Sequence, residues 1–223
     1  MRKGNPATLD QVPPIIEELI SVQGYRWMAG VDEAGRGPLA GPVVAGAVII
    51  RPGDVIPGVR DSKLLTPGQR EKLYHIITSR ALSWGVGIMG PREIEKHNIL
   101  QATLKAMKAA VLNLDPSPDF LLIDGINPIP IDLPQQAVKR GDACCPCIAA
   151  ASIVAKVTRD RLMMEYHRVY PLYNFARHKG YPTRAHREAI RTYGCCEIHR
   201  RTFKGVKEHL EAGNGGHQEG PGG

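Results

Sequence analysis

Two adjacent carboxylates, Asp32 and Glu33, stand beside an arginine and three glycines in the segment 30–38 (GVDEAGRGP). Successive residues of a strand point to opposite faces, so both carboxylates can serve one site only if the strand ends there, and Gly35 allows the backbone to turn away at once. Crowded carboxylates repel each other, which favours a hard divalent cation as their neutraliser. The glycines expose backbone N–H groups that a phosphate or a sugar can approach closely. The segment therefore predicts a metal site beside a nucleic-acid backbone.

Two further aspartates stand in a similar context. Asp124 follows the short apolar run 120–123, and Asp142 lies at a glycine-rich entry to a predicted helix. Taken alone, either residue is best read as an ordinary turn residue, because aspartate next to glycine is common in turns. Together with the adjacent pair they make four carboxylates that can converge on one edge of a sheet. Such a set suits two Mg²⁺ or Mn²⁺ ions, which prefer oxygen ligands and keep some of their waters.

Hydrophobic periodicity indicates the elements that must position these carboxylates. The predicted strands are 27–31, 42–50, 84–89, 120–123 and a weaker one at 136–139. The predicted helices are 15–20, one that opens at Thr66, 91–112, 148–166 and 183–193. Strands come first and are then mixed with helices, which predicts an α/β fold built on a mixed sheet.

The composition is that of a globular protein with a basic surface. The chain has 223 residues, 43% of them hydrophobic, and a formal charge of +7. No apolar run approaches the length of a membrane span and no secretory signal is visible, so we expect a cytoplasmic protein with no membrane partner. Residues 139–208 contain 15 Lys/Arg and 6 Asp/Glu. Charge alone leaves two interpretations open, a solvated basic surface and a groove for a polyanion.

Five cysteines form two clusters, Cys144, Cys145 and Cys147, and then Cys195 and Cys196. An odd number of cysteines in a cytosolic chain argues against a disulfide framework. Adjacent cysteines do not match the spaced pairs of a structural zinc site, so we interpret them as small packing residues. The alternative is a non-catalytic nucleic-acid-binding protein in which the cysteines hold a structural zinc, and it would make the four carboxylates a coincidence.

An ordered set of short motifs resembles the ribonuclease HII family. The motifs are GVDEAGRGPLAGP (30–42), DSKL (61–64), NILQAT (98–103), LIDG (122–125), IAAASIVAKVTRD (148–160) and HKGYPT (178–183). Each piece is weak alone, but the ordered set covers about residues 28 to 204. The sister family, ribonuclease HIII, is expected to carry an additional N-terminal domain, for which the short segment before residue 25 leaves no room.

The resemblance implies a ribonuclease H-like mixed sheet flanked by helices, with a small C-terminal helical part. The expected divisions are an N-terminal extension (1–24), a catalytic core (25–168), a C-terminal helical substrate-binding part (169–212) and a disordered tail (213–223). The family hydrolyses the RNA strand of RNA–DNA hybrids and nicks duplex DNA 5′ of a single embedded ribonucleotide. The resemblance thus implies an endonuclease that uses Mn²⁺ or Mg²⁺ in two-metal hydrolysis, and we expect a monomer.

The same resemblance assigns roles to particular residues. The family's metal-binding carboxylates match Asp32, Glu33, Asp124 and Asp142. Its glycine-arginine-glycine motif, which contacts the ribose 2′-OH and the adjoining phosphate, matches Gly35, Arg36 and Gly37. Its tyrosine at the RNA–DNA junction matches Tyr181.

Other polar residues receive weaker interpretations. Candidate phosphate contacts are Lys63, Lys139, Lys156 and Lys179. Ser152 and Arg159 are expected to orient their helix rather than touch substrate. We expect structural or phosphate-binding roles for His178, His186 and His199. The chain departs from the family pattern after Asp142, where Ala143, Cys144 and Cys145 replace the usual serine and basic residue, so local substrate contacts there are expected to differ.

Overall fold

The computed structural model describes residues 23–51, 53–59 and 65–214, and they contain one five-stranded sheet. Its strands are β1 (Met28–Ala34), β2 (Val43–Ile49), β3 (Ser83–Met89), β4 (Phe120–Asp124) and β5 (Gln135–Val138). The strand order is β3-β2-β1-β4-β5, with antiparallel pairing from β3 to β1 and parallel pairing from β1 to β5. The sheet is therefore mixed, which confirms the predicted fold class.

Helices cover both faces of the sheet and form the C-terminal part. They are α1 (Pro67–Arg80), α2 (Pro91–Leu112), α3 (Gly141–Cys144), α4 (Pro146–Val169), α5 (Phe175–His178), α6 (Arg184–Tyr193) and α7 (Lys207–Asn214), with a 3₁₀ turn at Pro171–Tyr173. The short helices α5 and α7 and the 3₁₀ turn were not predicted, because pieces of four to eight residues carry little periodicity. No helix within the described ranges is both long and apolar enough to cross a membrane.

Local sequence signals fix several helix ends. Thr66 and Gln69 form a capping box at the start of α1, as predicted. Thr183 caps α6 by accepting the N–H of His186, and the helix ends at Gly194, whose φ is 74°. Helix α2 was predicted to be continuous, but its backbone breaks at Asn98, where φ is 63° and the side chain caps the following turn through the N–H of Gln101.

Missing side chains let the two long helices approach the sheet. A Cβ on Gly30 of β1 would collide with the backbone of Cys147 in α4, and one on Gly87 of β3 would collide with the carbonyl of Ala106 in α2. The core consequently has two layers, one between the sheet and α2 and one between the sheet and α4. This close packing makes the sheet a rigid support for the residues at its edge.

The C-terminal part packs on the segment that follows β1. Ala40 pairs with His199 as an isolated β-bridge, the N–H of Leu39 donates to Gly180 O at 2.8 Å, and the N–H of Gly41 donates to Ile198 O at 2.8 Å. The division into a core and a C-terminal part stays a prediction. Lys63, the predicted helix 15–20 and residues 215–223 of the predicted tail lie outside the described residues, and α7 continues two residues into that tail, to Asn214.

Candidate active site

Neighbouring parallel strands bring three carboxylates to one edge of the sheet. Val31 of β1 is in register with Ile123 of β4, so the next residues along the two strands, Asp32 and Asp124, lie side by side. The predicted strand ended at the carboxylate pair and was therefore too short, because β1 continues to Ala34. The side chain of Asp32 contacts the backbone of the next residue, because its Oδ1 accepts the N–H of Glu33 at 2.7 Å.

Burial and like charge raise the pKa of two of these carboxyls. The pKa of Asp32, which is 6% exposed, lies well above its usual range because of desolvation and the negative charges of Glu33 and Asp124, while a hydrogen bond from Ser152 opposes the shift. The pKa of Glu33 is raised by desolvation, and the nearby Arg36, whose Nη1 lies 3.2 Å from Glu33 Oε1, opposes that rise. The cluster thus holds unfavourable negative charge that a cation would relieve.

Asp142 follows a residue that is hydrogen-bonded to the cluster. The N–H of Gly141 donates to Asp124 Oδ1 at 2.7 Å, which ties the start of α3 to the end of β4. Asp142 is the next residue and is 4% exposed. Asp32 and Glu33 thus lie on β1, Asp124 ends β4, and Asp142 lies in α3, a short helix that was not predicted.

The donor set fits a hard divalent cation, although the ligand arrangement is not closed. All four groups are carboxylates, the ligand type that Mg²⁺ and Mn²⁺ favour, and the raised pKa values of Asp32 and Glu33 record the crowding of negative charge. Within the described ranges no three His, Cys, Asp or Glu side chains converge so as to hold an ion.

An open groove of about 450 Å³ begins at the carboxylate cluster. The groove is lined by the end of β1 and the loop that follows it, by α4, by one residue of α1 and by the predicted junction tyrosine. Its polar and charged lining residues are Glu33, Arg36, Arg70, Ser152, Lys156 and Tyr181. Gly35 and Gly37 also line it. The structure therefore brings the predicted glycine-arginine-glycine motif, Glu33 and Tyr181 to one groove.

Tyr181 is held at the groove by cations and by a rigid turn. Its ring is 41% exposed, and Lys156 Nζ and Arg159 Cζ lie 5.9 and 5.8 Å from the ring centroid. The preceding residue, Gly180, has a φ of 84° and packs so closely on Ala40 O that any side chain would clash. An exposed aromatic face with flanking cations can stack on a sugar or base.

The lysines divide into one groove residue and two that lie elsewhere. Lys156 lines the groove and pairs with Asp160 at 2.7 Å. Lys179 turns back on its own segment, where its Nζ donates to Ala176 O at 2.7 Å, and burial lowers its pKa. Lys139 is exposed just after β5 and is not part of the groove lining. Among the described lysines, Lys156 is thus the best placed phosphate contact.

The three histidines form a buried network that supports the Tyr181 turn. His199 Nδ1 accepts the N–H of Cys196 at 3.0 Å, so its Nε2–H donates to His186 Nε2 at 3.1 Å, and His186 Nδ1–H donates to Tyr181 O at 3.0 Å. The ring of His178 stacks on that of His186, with centroids 4.4 Å apart. Burial lowers the pKa values of His186 and His199 to about 4, so both are neutral. The placement agrees with the expected structural role.

Four of the five cysteines pack in or against hydrophobic clusters, as expected, and Cys144 does not. Cys145 and Cys147 are buried in a cluster with Leu122 and Ile148, and Cys144 is exposed with its Sγ 3.7 Å from that of Cys145. All five cysteines lie within the described ranges, where no metal-holding group of three or more ligands forms. The alternative of a cysteine-bound zinc therefore gains no support.

Two residues at this site were missed in the sequence. Arg70 of α1 lines the groove, and Arg200 is fully buried against the loop after β1. Arg200 lies outside the motifs used above, and a basic residue in a basic segment gives no local signal of burial. Only the pairing of Ala40 with His199 brings it to the loop.

Comparisons with known proteins agree with the geometry. A family model described as Ribonuclease HII matches residues 29–206. A curated relative named Ribonuclease HII from Geobacter sulfurreducens is 57% identical over 188 residues, which are 84% of this chain and 87% of the relative. Another of the same name, from Geobacter metallireducens, is 57% identical over 194 residues, covering 87% of this chain and 91% of that protein.

A solved structure supports the same fold. The crystal structure of ribonuclease H2 from Pyrococcus horikoshii OT3 superposes with a TM-score of 0.72 at 31% sequence identity, covering 83% of this chain and 98% of that chain. The architecture is thus the ribonuclease H-like one, with a mixed sheet between helices, as predicted.

Proposed function

Because this chain belongs to the ribonuclease HII family and is a nuclease that acts on RNA–DNA hybrids, we propose that it also nicks duplex DNA on the 5′ side of a single embedded ribonucleotide by two-metal hydrolysis. The observation that carries the proposal is the shared groove, in which Glu33 of the carboxylate cluster lies beside Gly35, Gly37 and Tyr181. One end of this groove holds negative charge for a metal, and the other presents backbone and an aromatic ring to a sugar.

The carboxylates would hold the metal ions of this divalent-metal-dependent family. Asp32, Glu33 and Asp124 supply a dense negative cluster, and Asp142 would add a fourth group, since the N–H of the preceding Gly141 donates to Asp124. When bound, Mg²⁺ or Mn²⁺ would supply activation of water and neutralisation of charge on the leaving oxygen. The ion pair from Arg36 favours the ionised form of Glu33, and a hydrogen bond from Ser152 favours that of Asp32, each against the effect of burial on the pKa.

The loop after β1 and the Tyr181 turn would select the ribonucleotide. RNA differs from DNA at a given nucleotide by its 2′-OH, so a ribonucleotide-specific site needs polar groups that touch that hydroxyl. Gly37 is exposed in the groove, where its backbone can reach the sugar without an intervening side chain. Tyr181 would stack on the next sugar, and Lys156 would contact a neighbouring phosphate.

Cleavage of a defined duplex tests the function. The substrate is a labelled DNA duplex with one ribonucleotide, incubated with Mg²⁺, Mn²⁺ or EDTA and compared with a continuous RNA–DNA hybrid and an all-DNA duplex. We expect one metal-dependent nick that leaves the ribonucleotide at the 5′ end of the downstream fragment. Cleavage of the hybrid without the nick would contradict the single-ribonucleotide activity.

Carboxamide variants serve as matched controls for the same assay. Asp124→Asn keeps the shape of the side chain, including an oxygen that can accept the N–H of Gly141, and should remove most cleavage. Asp142→Asn should be milder if this residue holds only the second ion. Turnover of Asp124→Asn near that of the wild type would overturn the assignment of the metal site.

A further inference from the structure

A fully buried arginine, Arg200, donates hydrogen bonds to the loop that lines the groove. The side chain of Arg200 is 0% exposed, and its guanidinium donates to Gly41 O at 2.9 Å from Nε, to Arg36 O at 2.8 Å from Nη1 and to Gly35 O at 2.5 Å from Nη2. The planar fork of arginine matches several acceptors at fixed angles, which a lysine ammonium does not reproduce. Two successive carbonyls of the motif are therefore turned toward the protein interior.

The direction of these carbonyls fixes the direction of the following amides. In a planar trans peptide the C=O and the N–H point to opposite sides. The carbonyls of Gly35 and Arg36 face Arg200, so the N–H groups of Arg36 and Gly37 face away from it. Both residues line the groove, and Arg200 does not.

We propose that Arg200 is a positioning residue for substrate selection: it aims the N–H groups of Arg36 and Gly37 into the groove, where they hydrogen-bond the ribonucleotide at its 2′-OH and adjoining phosphate. This inference rests on the proposed function of the groove. Arg200 itself touches no substrate. Its positive charge behind the two peptide groups also makes their outward N–H ends better partners for an oxygen that carries negative charge.

A second buried arginine braces the other side of the same segment. Arg159 is 1% exposed and donates to Pro42 O at 2.9 Å, to Ala40 O at 3.2 Å and to Lys179 O at 3.0 Å. It thereby couples the loop after β1 to the turn that carries Tyr181. The two arginines thus hold the loop after β1 and the turn before Tyr181 by hydrogen bonds to backbone carbonyls.

Burying Arg159 and Arg200 close together is electrostatically unfavourable, and the packing of their side chains alone does not explain why both are arginines. Burial and the adjacent charge of Arg159 lower the pKa of Arg200 to about 9, so the Arg200 guanidinium is charged at neutral pH. Two buried like charges are unfavourable, and well-packed apolar side chains would stabilise the fold at least as well. Apolar side chains could not orient the six backbone carbonyls that these two arginines bind, and the orientation of those carbonyls is what the groove requires.

The test compares Arg200→Lys, which keeps the charge without the fork, and Arg200→Met, which removes both, with Arg168→Lys and Arg168→Met as controls. Arg168 is 73% exposed and lies near the end of α4, where it pairs with Glu165. Binding is measured without cleavage, in EDTA, to a single-ribonucleotide duplex and to the matching all-DNA duplex. Melting temperatures establish that each variant is folded.

We expect both Arg200 variants to lose preference for the ribonucleotide. The ratio of the two dissociation constants should fall by about tenfold in Arg200→Lys, the equivalent of one lost hydrogen bond to the 2′-OH, while affinity for the all-DNA duplex stays within about twofold. The Arg168 variants should keep the wild-type ratio. An equal loss of affinity for both duplexes would show a merely structural role and overturn the inference.

A measurement on the wild type covers the case in which the variants do not fold. In a ¹⁵N-labelled sample, the backbone amide resonances of Arg36 and Gly37 should shift on addition of the single-ribonucleotide duplex and stay nearly unmoved with the all-DNA duplex. Equal shifts with both duplexes, or none with either, would overturn the inference. If the wild-type protein nicks the single-ribonucleotide duplex but Arg200→Lys keeps the wild-type preference for it over the all-DNA duplex, the proposed function stands and only the inference about Arg200 is overturned.

Discussion

Gly37 and Tyr181 face each other across the groove, and a Cβ placed on Gly37 would lie 4.0 Å from Cε1 of Tyr181. This is an ordinary van der Waals distance, and Gly37 is not among the described residues that have a positive φ. A methyl group is therefore tolerated by the fold at this position but occupies the space between the backbone and the ring. A substitution of Gly37 can therefore impair substrate binding without lowering the stability of the fold.

Gly37→Ala should fold normally and lose activity. We expect a melting temperature within about 2 °C of the wild type, because no strained backbone or clash is created, which keeps the change in stability within about 0.5 kcal/mol. The kcat/KM on a single-ribonucleotide duplex should fall by at least about tenfold, because the methyl group keeps the sugar from the backbone. Gly68→Ala, where nothing lies within 4 Å of the added Cβ, is the control. Unchanged kcat/KM in Gly37→Ala would place the sugar elsewhere.

Tyr181 distinguishes stacking from hydrogen bonding at the junction. If stacking dominates, Tyr181→Phe should retain most activity, and Tyr181→Ala should lose about 1–3 kcal/mol of binding or transition-state energy. If the hydroxyl donates or accepts a hydrogen bond at the junction, the Phe variant should fall most of the way toward the Ala variant. The measurement is kcat/KM of both variants on a single-ribonucleotide duplex and on a continuous hybrid. Wild-type rates for Tyr181→Ala on both substrates would make this exposed ring irrelevant to cleavage.

The carboxylate cluster should destabilise the metal-free protein, and bound metal should stabilise it. Asp32 has a raised pKa, so it destabilises the folded state at pH values above the pKa that an aspartate has in the unfolded chain, and this destabilisation disappears as the pH falls below that value. Asp32→Asn should therefore raise the melting temperature of the metal-free protein at pH 7. Mn²⁺ at 100 times its Kd should stabilise the wild type by about 2.7 kcal/mol. Thermal melts of wild type and variant with EDTA and with Mn²⁺ test both effects, and a Mn²⁺-induced rise in Asp32→Asn equal to that of the wild type would contradict them.

Salt dependence should separate Lys156 from Lys179. Each phosphate neutralised by a cation contributes about one unit to the slope of log K against log salt. Lys156 lines the groove, so Lys156→Ala should flatten this slope by about one unit, whereas Lys179, whose Nζ is bound to Ala176 O, should contribute less. Binding of a hybrid between about 50 and 200 mM salt in EDTA gives the slopes. A larger flattening in Lys179→Ala than in Lys156→Ala would restore Lys179 as the phosphate contact.

The buried histidines should make the protein acid-sensitive. His186 and His199 have pKa values lowered to about 4, below the 6.5 of an exposed histidine, so the unfolded chain binds more protons as pH falls from 6.5 toward 4. Stability due to these rings is complete above pH 6.5 and is lost through that window, at up to about 1.4 kcal/mol per pH unit for each histidine. His199→Gln should reduce the slope of unfolding free energy against pH by up to that amount. Denaturant unfolding at pH 7, 6 and 5 measures it, and an unchanged slope would show that His199 titrates normally.

The chain itself determined the family and most of the elements. The ordered motifs identify the family because they hold many residues at fixed positions, and the family model then matches residues 29–206. Strands of apolar residues and capped helices were found because periodicity and capping are local properties. The boundaries of β1 and the break at Asn98 were missed, since pairing with β2 and the positive φ depend on neighbours outside the local window.

Tertiary structure alone decided how the site is held. Gly35 and Arg200 are hydrogen-bonded across a separation of 165 residues, and no pattern near either residue announces the contact. The same holds for Lys179, which lies inside a motif yet turns its ammonium back on the protein, and for Lys156, which reaches the groove from the long helix α4. Residue types determine which chemistry is available. Packing of the C-terminal part on the loop after β1 determines which backbone groups face the groove, because only closing that contact brings the donors of Arg200 to the carbonyls that they orient.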